Sequence, residues 1–350
     1  MTAIDSPVMR RPQWHWWVII PPVLLAALLF GAAIGEVSIP PQVVLKVLAN
    51  KVLNAGYAVD KIDEGIVWNY RMARAVVAMC CGAGLALSGV VLQALLRNAL
   101  ADPYLLGISA GASTGAVAVT ILGLGGGAIS LSIGAFSGAL VAFAFVAVLA
   151  QAAGGGVGLR AAGVIVLAGI AGSQMFNALT ALMITKSANA EQARAIMFWL
   201  LGNMSGVRWP DVFSALPAAM IGLVACLWHA RALDAFTFGS DSAASLGIPV
   251  RRVQLLLIGT AALVTAVMVS VVGAIGFVGL VIPHAMRIVV GHRHAILVPA
   301  SALAGAVFLV FADVISRVIV PGQVLPIGVV TALVGAPVFA LILIGKRTSP

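Results

Sequence analysis

The chain has 350 residues, 62% of them apolar and only 9% charged, with a formal net charge of +9 and a mean hydropathy of +1.12. Soluble domains carry about 45–50% apolar and about 25% charged residues, so this chain has too little charge to coat a soluble surface and too much hydrophobicity for disorder. Its apolar runs are continuous, not alternating, which excludes a β-barrel and leaves an all-α polytopic membrane protein.

At the amino-terminal end, Arg10 and Arg11 precede Trp14, Trp16 and Trp17, and an apolar run follows from Val18 to Ile34. The run is long for the apolar region of a signal peptide and further spans follow, so it reads as a retained first helix. Residues 36–70 form the only long polar segment, with Glu36, Lys46, Lys51, Asp60, Lys61, Asp63 and Glu64. Within it, Pro40-Pro41 followed by Val43, Val44, Val47 and Leu48 predicts a short amphipathic surface helix. Further apolar runs begin near Ala75, Leu105, Ile129, Gly163, Val212, Val253, Ala274, Ile296 and Ile327. The total is about ten helices, an even number that puts both termini on one side.

The charges mark span ends. The basic residues are scattered there and not gathered into one stripe, which argues against a nucleic-acid partner. On a ten-helix topology the 20 Lys and Arg split eleven to nine, a weak majority on the side of the termini. Both termini carry a basic pair, Arg10-Arg11 and Lys346-Arg347, which favours the cytoplasm for that side. Trp14, Trp16, Trp17, Trp68, Trp199, Trp209 and Trp228 all fall near predicted span ends, as an interfacial belt does.

Gly107, Gly111 and Gly115 recur every four residues, and Gly134 and Gly138 repeat the spacing. On helices this lets neighbouring backbones approach closely. The Gly125–Gly127 and Gly154–Gly156 runs lack the Lys of a phosphate-binding loop and read as turns, so the chain does not itself hydrolyse nucleotide this way. Asp313 stands four residues before Arg317, the spacing of a local ion pair near a helix end. No paired carboxylates, Ser-His-Asp set or H-E-x-x-H string occurs, so no catalytic residue and no metal site is expected. His15, His229, His284, His292 and His294 read as interfacial or hydrogen-bonded, and Cys80, Cys81 and Cys226 as small core residues without ligand spacing. Between Arg231 and Arg252, Ser240 or Asp241 can cap a helix start, Gly247 fits its end and Pro249 blocks its continuation. The expectation is a short helix over Asp241–Leu246, followed by Arg251 and Arg252: either a simple connection or a partner surface.

Particular strings then carry a resemblance. Arg71-Met-Ala-Arg74 is followed by Gly82-Ala-Gly-Leu-Ala-Leu-Ser-Gly89, Gln93, Arg97-Asn-Ala-Leu-Ala-Asp-Pro103 and Leu106-Gly-Ile-Ser-Ala-Gly-Ala112. Later come Trp199-Leu-Leu-Gly202, the Gly239–Gly247 segment, Gly273-Ala-Ile-Gly-Phe-Val-Gly-Leu-Val-Ile-Pro-His284, Ala312-Asp-Val-Ile-Ser-Arg317 and Leu325-Pro-Ile-Gly-Val-Val-Thr-Ala-Leu-Val-Gly-Ala-Pro337. Over about residues 65–345 the chain resembles the FecCD family, membrane permeases of type II ABC importers for iron-siderophores, haem and cobalamin.

The resemblance implies one permease domain over 1–350, with a cytoplasmic segment at 1–16, a periplasmic loop at 36–70 and a cytoplasmic coupling-helix loop at 231–252. It implies a homodimer in the bacterial inner membrane, both termini cytoplasmic, with two separate ATPase subunits and a periplasmic substrate-binding protein. ATP and Mg belong to the ATPase, and this chain is expected to bind no cofactor. Arg71, Arg74 and Arg317 match arginines that meet acids on the binding protein. Asn98 and Leu100 match a cytoplasmic gate. Ser240, Asp241, Leu246 and Gly247, with Arg251 and Arg252 after them, match the ATPase-coupling segment. Ala73 and Ala99 stand where the family often has proline, and Ser240-Asp241 where it often has two acids. The cargo implied is an iron chelate or a corrinoid, and overall likeness, including Met197-Phe-Trp-Leu-Leu-Gly202, leans to haem. An ion-driven carrier is the competing class, and scarce mid-membrane acids argue against it.

Overall fold

A computed structural model describes residues 15–154, 159–186 and 189–345, so Arg10, Arg11, Trp14, Lys346 and Arg347 lie outside the described residues. In chain order come α1 (His15–Ala33), α2 (Pro41–Leu53), α3 (Lys61–Glu64), α4 (Ala73–Leu95), α5 (Ile108–Thr120), α6 (Leu131–Ala152), α7 (Leu159–Thr185) and α8 (Ala190–Leu200). Then follow α9 (Trp209–Trp228), α10 (Ala230–Phe236), α11 (Ser240–Ser245), α12 (Val250–Val272), α13 (Val278–Val290), α14 (His294–Val318) and α15 (Ile327–Gly345). Among the described residues, six helical stretches are long and apolar enough to cross a membrane: Lys61–Leu95, α6, α7, α9, α12 and α14. Four shorter apolar helices, in α1, α5, α13 and α15, bring the total to the ten expected.

Two boundaries differ from expectation. The polar segment does not remain a loop to residue 70. It turns helical at Lys61 and enters α4 through a π-helical stretch, Gly65–Met72. There Asp60 caps the start by accepting the Ile62 N–H. The run expected from Ala274 becomes helical only at Val278, because Gly273 (φ 74°) and Phe277 (φ 68°) hold Ala274–Phe277 out of the helix. The amphipathic α2 forms as expected, turning Val44 and Val47 inward.

α4 is the central helix, with α9, α12, α13 and α14 packed around it. Its sequence of Ala, Gly, Cys and Ser explains this position, since small side chains on every face admit neighbours. A Cβ on Gly82 would stand 2.0 Å from the Gly305 oxygen of α14, and one on Gly89 would stand 1.9 Å from the Gly279 oxygen of α13. These are backbone-to-backbone contacts that no side chain fits. The glycines singled out on α5 and α6 serve the same end: Gly111 lies on Gly138, and Gly115 on Gly134.

Connections gather at two ends of the bundle. The α2 end holds α2, the π-helical stretch and the Trp68–Trp209 ring pair, whose centroids are 4.8 Å apart. The α11 end holds the loop after α4, α10, α11 and the start of α14.

Candidate functional site

At the α2 end, the chain past Gly31 exposes carbonyls that α1 itself cannot satisfy. Two arginines satisfy them. Arg71 donates to the oxygens of Ala33 (3.0 Å), Ala32 (3.3 Å) and Val37. Arg317 donates to Ile34 (2.8 Å) and Gly31 (3.1 Å). Gly35 permits the approach, because a Cβ there would stand 2.7 Å from the Arg71 Nε. Arg74 turns instead to Asp313, its Nε 2.5 Å from Oδ1, while its other nitrogens donate to Tyr70 (2.8 Å) and Ser316 (3.3 Å). Arg317 Nη2 lies 2.9 Å from the second Asp313 oxygen, which is the predicted i,i+4 pair, and Arg74 makes it three-membered.

Arg71, Arg74 and Arg317 are 1%, 0% and 1% exposed, so within the single chain their guanidinium groups are turned inward. Their donors are committed to the α1 terminus, to Asp313 and, for Arg74, to Tyr70 and Ser316. Exposed charged groups at this end include Glu36, Lys46, Lys51, Asp60, Lys61 and Arg208, the last lying over the Tyr70 ring at 5.5 Å.

At the α11 end, α4 stops at Leu95 and Arg97 adopts a left-handed backbone (φ 49°). The loop is then shaped by two side-chain caps. Asn98 Oδ1 accepts the Leu100 N–H at 2.9 Å, and Asp102 Oδ1 accepts the Tyr104 N–H at 2.8 Å. Both proposed gate residues, Asn98 and Leu100, are exposed. Burial pushes the Asp102 carboxyl up to about 6, against the opposing pull of its bond from Tyr104.

α11 begins beside this loop. A Cβ on Gly239, the residue before α11, would stand 3.3 Å from the Arg97 guanidinium. The helix itself matches expectation within a residue, running Ser240–Ser245 and ended by Gly247 at φ 79°. Its cap differs: Gly239 (φ 110°) occupies that position, and neither Ser240 nor Asp241 caps. Ser240 Oγ instead lies 3.4 Å from Gln254 Nε2, and buried Ala243 seats the helix on Leu233, Phe236 and Val250. Asp241, Leu246, Gly247, Arg251 and Arg252 are exposed. So is Phe238, which sequence reasoning missed and which adds a second large apolar side chain to this surface.

α10 supports α11 from behind. Asp234 Oδ1 accepts the backbone N–H of His294 at 2.8 Å and lies 2.7 Å from its ring Nδ1, so a side chain of α10 caps the start of α14. One further polar contact lies in the interior. Pro283 has no N–H for the Gly279 carbonyl one turn earlier. Gln93 Nε2 supplies that donor at 3.1 Å, and Arg287 bonds the Gln93 oxygen.

A model of the FecCD transport family matches residues 23–345. The chain is 40% identical over 288 residues to the cobalamin import system permease protein BtuC of Halobacterium salinarum, covering 82% of this chain and 75% of that protein. It is 34% identical to the vitamin B12 import system permease protein BtuC of Escherichia coli, covering 97% of each. A solved structure described as an inward-facing metal-chelate type ABC transporter superposes with a TM-score of 0.79 at 26% identity, covering 95% of this chain and 99% of that one.

Proposed function

The chain belongs to the FecCD transport family, as a permease subunit of an ABC importer, and we propose that it conducts a corrinoid across the cytoplasmic membrane, driven by a separate ATPase that grips α11. The observation that carries this reading is the surface around α11. A short helix bears an exposed Asp241 between exposed Phe238 and Leu246, with Arg251 and Arg252 beside it and the Asn98–Leu100 loop next to it. Large apolar anchors ringed by charge suit a protein partner. Closure of an ATPase on α11 would press directly on the loop that carries Asn98 and Leu100.

The cargo reading shifts from haem to a corrinoid, because the relatives above are named for cobalamin and vitamin B12, and no haem-specific feature supports the earlier lean. An iron-siderophore is the second reading, favoured by the metal-chelate type of the structural neighbour. The α11 end faces the cytoplasm in this scheme, two copies pair around the path, and a periplasmic binding protein meets the α2 end. The arginines there act from beneath, fixing the end of α1 that the delivery protein would rest on. An ion-coupled carrier is disfavoured, since Asp313, a buried acid within a span, is ion-paired to Arg74 and Arg317 of the same chain.

The test is reconstitution of the permease, its ATPase and its binding protein in liposomes. ATP-dependent uptake of cyanocobalamin, with no uptake of haemin, is expected. Uptake of haemin or ferric siderophore alone would overturn the cargo assignment. Uptake driven by a proton gradient without ATP would overturn the mechanism.

A further inference from the structure

Ala274–Phe277 is a stretch of non-helical backbone packed inside a helical membrane protein. Such backbone must find hydrogen-bond partners within the protein, because lipid offers none. Ile275 is 1% exposed, and both of its backbone groups find the same partner. The Tyr104 hydroxyl accepts the Ile275 N–H at 2.8 Å and donates to the Ile275 carbonyl at 2.9 Å. Tyr104 lies 171 residues away, on the turn that closes the Arg97–Leu106 loop. Pro103 beside it presses on Gly279, where a Cβ would stand 2.7 Å from the proline Cδ. The other end of the same loop carries Arg97, against Gly239 at the start of α11.

We propose that Tyr104 is a positioning residue that makes the Asn98–Leu100 gate loop and the unwound α12–α13 junction move as one body, so that a push on α11 reaches the start of α13. This rests on the gate reading above. The reason is energetic. Separating the loop from the junction leaves two buried backbone groups and a buried hydroxyl without partners, so joint displacement is favoured over separation. Gly279, lacking a side chain, lets Pro103 seat against α13 and adds a steric contact in the same direction.

Tyr104→Phe removes both hydrogen bonds and keeps the ring. The measurement is hydrogen–deuterium exchange of the permease–ATPase complex in nanodiscs, with and without ATP trapped by vanadate. Without nucleotide, the Ile275 amide of Tyr104→Phe should exchange about tenfold faster or more, the cost of an orphaned buried group. In the unsubstituted protein, nucleotide should alter exchange over residues 97–107 and 273–279 together. In Tyr104→Phe the change should persist in 97–107 and vanish from 273–279. Gly279→Ala, which displaces Pro103 without touching the hydroxyl, should weaken the joint response in the same way. Ser88→Ala, a buried change on α4 away from this contact, controls for general loosening. Joint response retained in Tyr104→Phe overturns the proposal, and so does a nucleotide effect that never reaches 273–279 in the unsubstituted protein. None of these outcomes depends on which cargo is carried, so a failed cyanocobalamin assay and a failed Tyr104 assay are distinguishable.

Discussion

Arg74 Nε stands 2.5 Å from Asp313 Oδ1, joining the central helix to α14 through a charge pair with no exposure to solvent. Arg317 shares the same carboxylate at 2.9 Å. One acid therefore neutralises part of two guanidinium charges; carbonyls at the α1 terminus take the remaining donors of Arg317, and Tyr70 and Ser316 take those of Arg74. The cluster is a joint between α1, α4 and α14. Its charges look functional in sequence because they are scarce, yet their partners lie within the chain.

Removal of Asp313 should consequently be costly. Asp313→Ala leaves two buried guanidinium groups without their carboxylate, a change that costs about 3–5 kcal/mol in comparable buried pairs. Asp313→Asn keeps an acceptor for Arg74 and should cost less. Thermal unfolding of the detergent-solubilised protein, followed by tryptophan fluorescence, measures both. An Ala variant that melts within a degree of the parent would show that the cluster adds little to stability.

The Gly82–Gly305 contact gives a second stability prediction with opposite signs at two glycines. Gly82→Ala places a methyl group 2.0 Å from a backbone oxygen. Neither helix can yield locally, so a loss of about 1–3 kcal/mol or more is expected. Gly163→Ala meets no atom within 4 Å, on an exposed side of α7. There the helix gains about 0.5–1 kcal/mol from the lost flexibility of glycine. The ordering Gly163→Ala above parent above Gly82→Ala in unfolding midpoint is the outcome to check.

The ten spans and α11 were legible because their signals are local. Apolar run length marks a span, and Gly247 with Pro249 marks where α11 must stop. The inward turn of Arg71 was not legible, because its acceptors at Ala32 and Ala33 lie 39 and 38 residues away. An outward and an inward arginine at a span end have the same sequence signature. Tyr104 was missed, and Gln93 was noted among the matching strings without a role. One clue did exist for Gln93: Pro283 inside a helix predicts an orphan carbonyl at Gly279 and hence a donor nearby. Nothing local identifies which donor. The π-helical entry to α4 was hidden for a related reason, since the Gly65–Met72 stretch also packs on the distant α1, and its Trp68 carbonyl accepts the ring N–H of Trp209 at the start of α9.

The α11 surface predicts a graded loss of coupling. Leu246→Asp puts a charge on a side chain that is 71% exposed, so the permease itself should fold normally. Burial of that carboxylate against an ATPase would cost several-fold to hundred-fold in affinity, about 1–3 kcal/mol. Asp241→Arg should weaken the contact less, as a charge at a wet rim. Co-purification of the ATPase and the ratio of cargo moved to ATP hydrolysed report the two effects. Full retention of the ATPase by Leu246→Asp would remove α11 from the interface.

Asp102 supplies a pH-dependent prediction whose sign follows from its raised carboxyl pKa. With its pKa raised to about 6 by burial, the folded protein keeps this proton to higher pH than the unfolded chain, whose carboxyl has its ordinary value of 3.8. The folded state is thus favoured fully below pH 4 and loses that advantage as pH rises toward 6, a difference of about 3 kcal/mol at most for about two pH units. Asp102→Asn cannot ionise and still accepts the Tyr104 N–H, so it should keep the turn at Pro103 intact. Its unfolding midpoint should exceed that of the parent at pH 7.5, by the equivalent of about 1–3 kcal/mol, and the gap should close as pH falls through 6 toward 4. A gap that stays constant across this range would show that Asp102 is ionised in the fold, its charge met by a partner that the loop geometry does not supply.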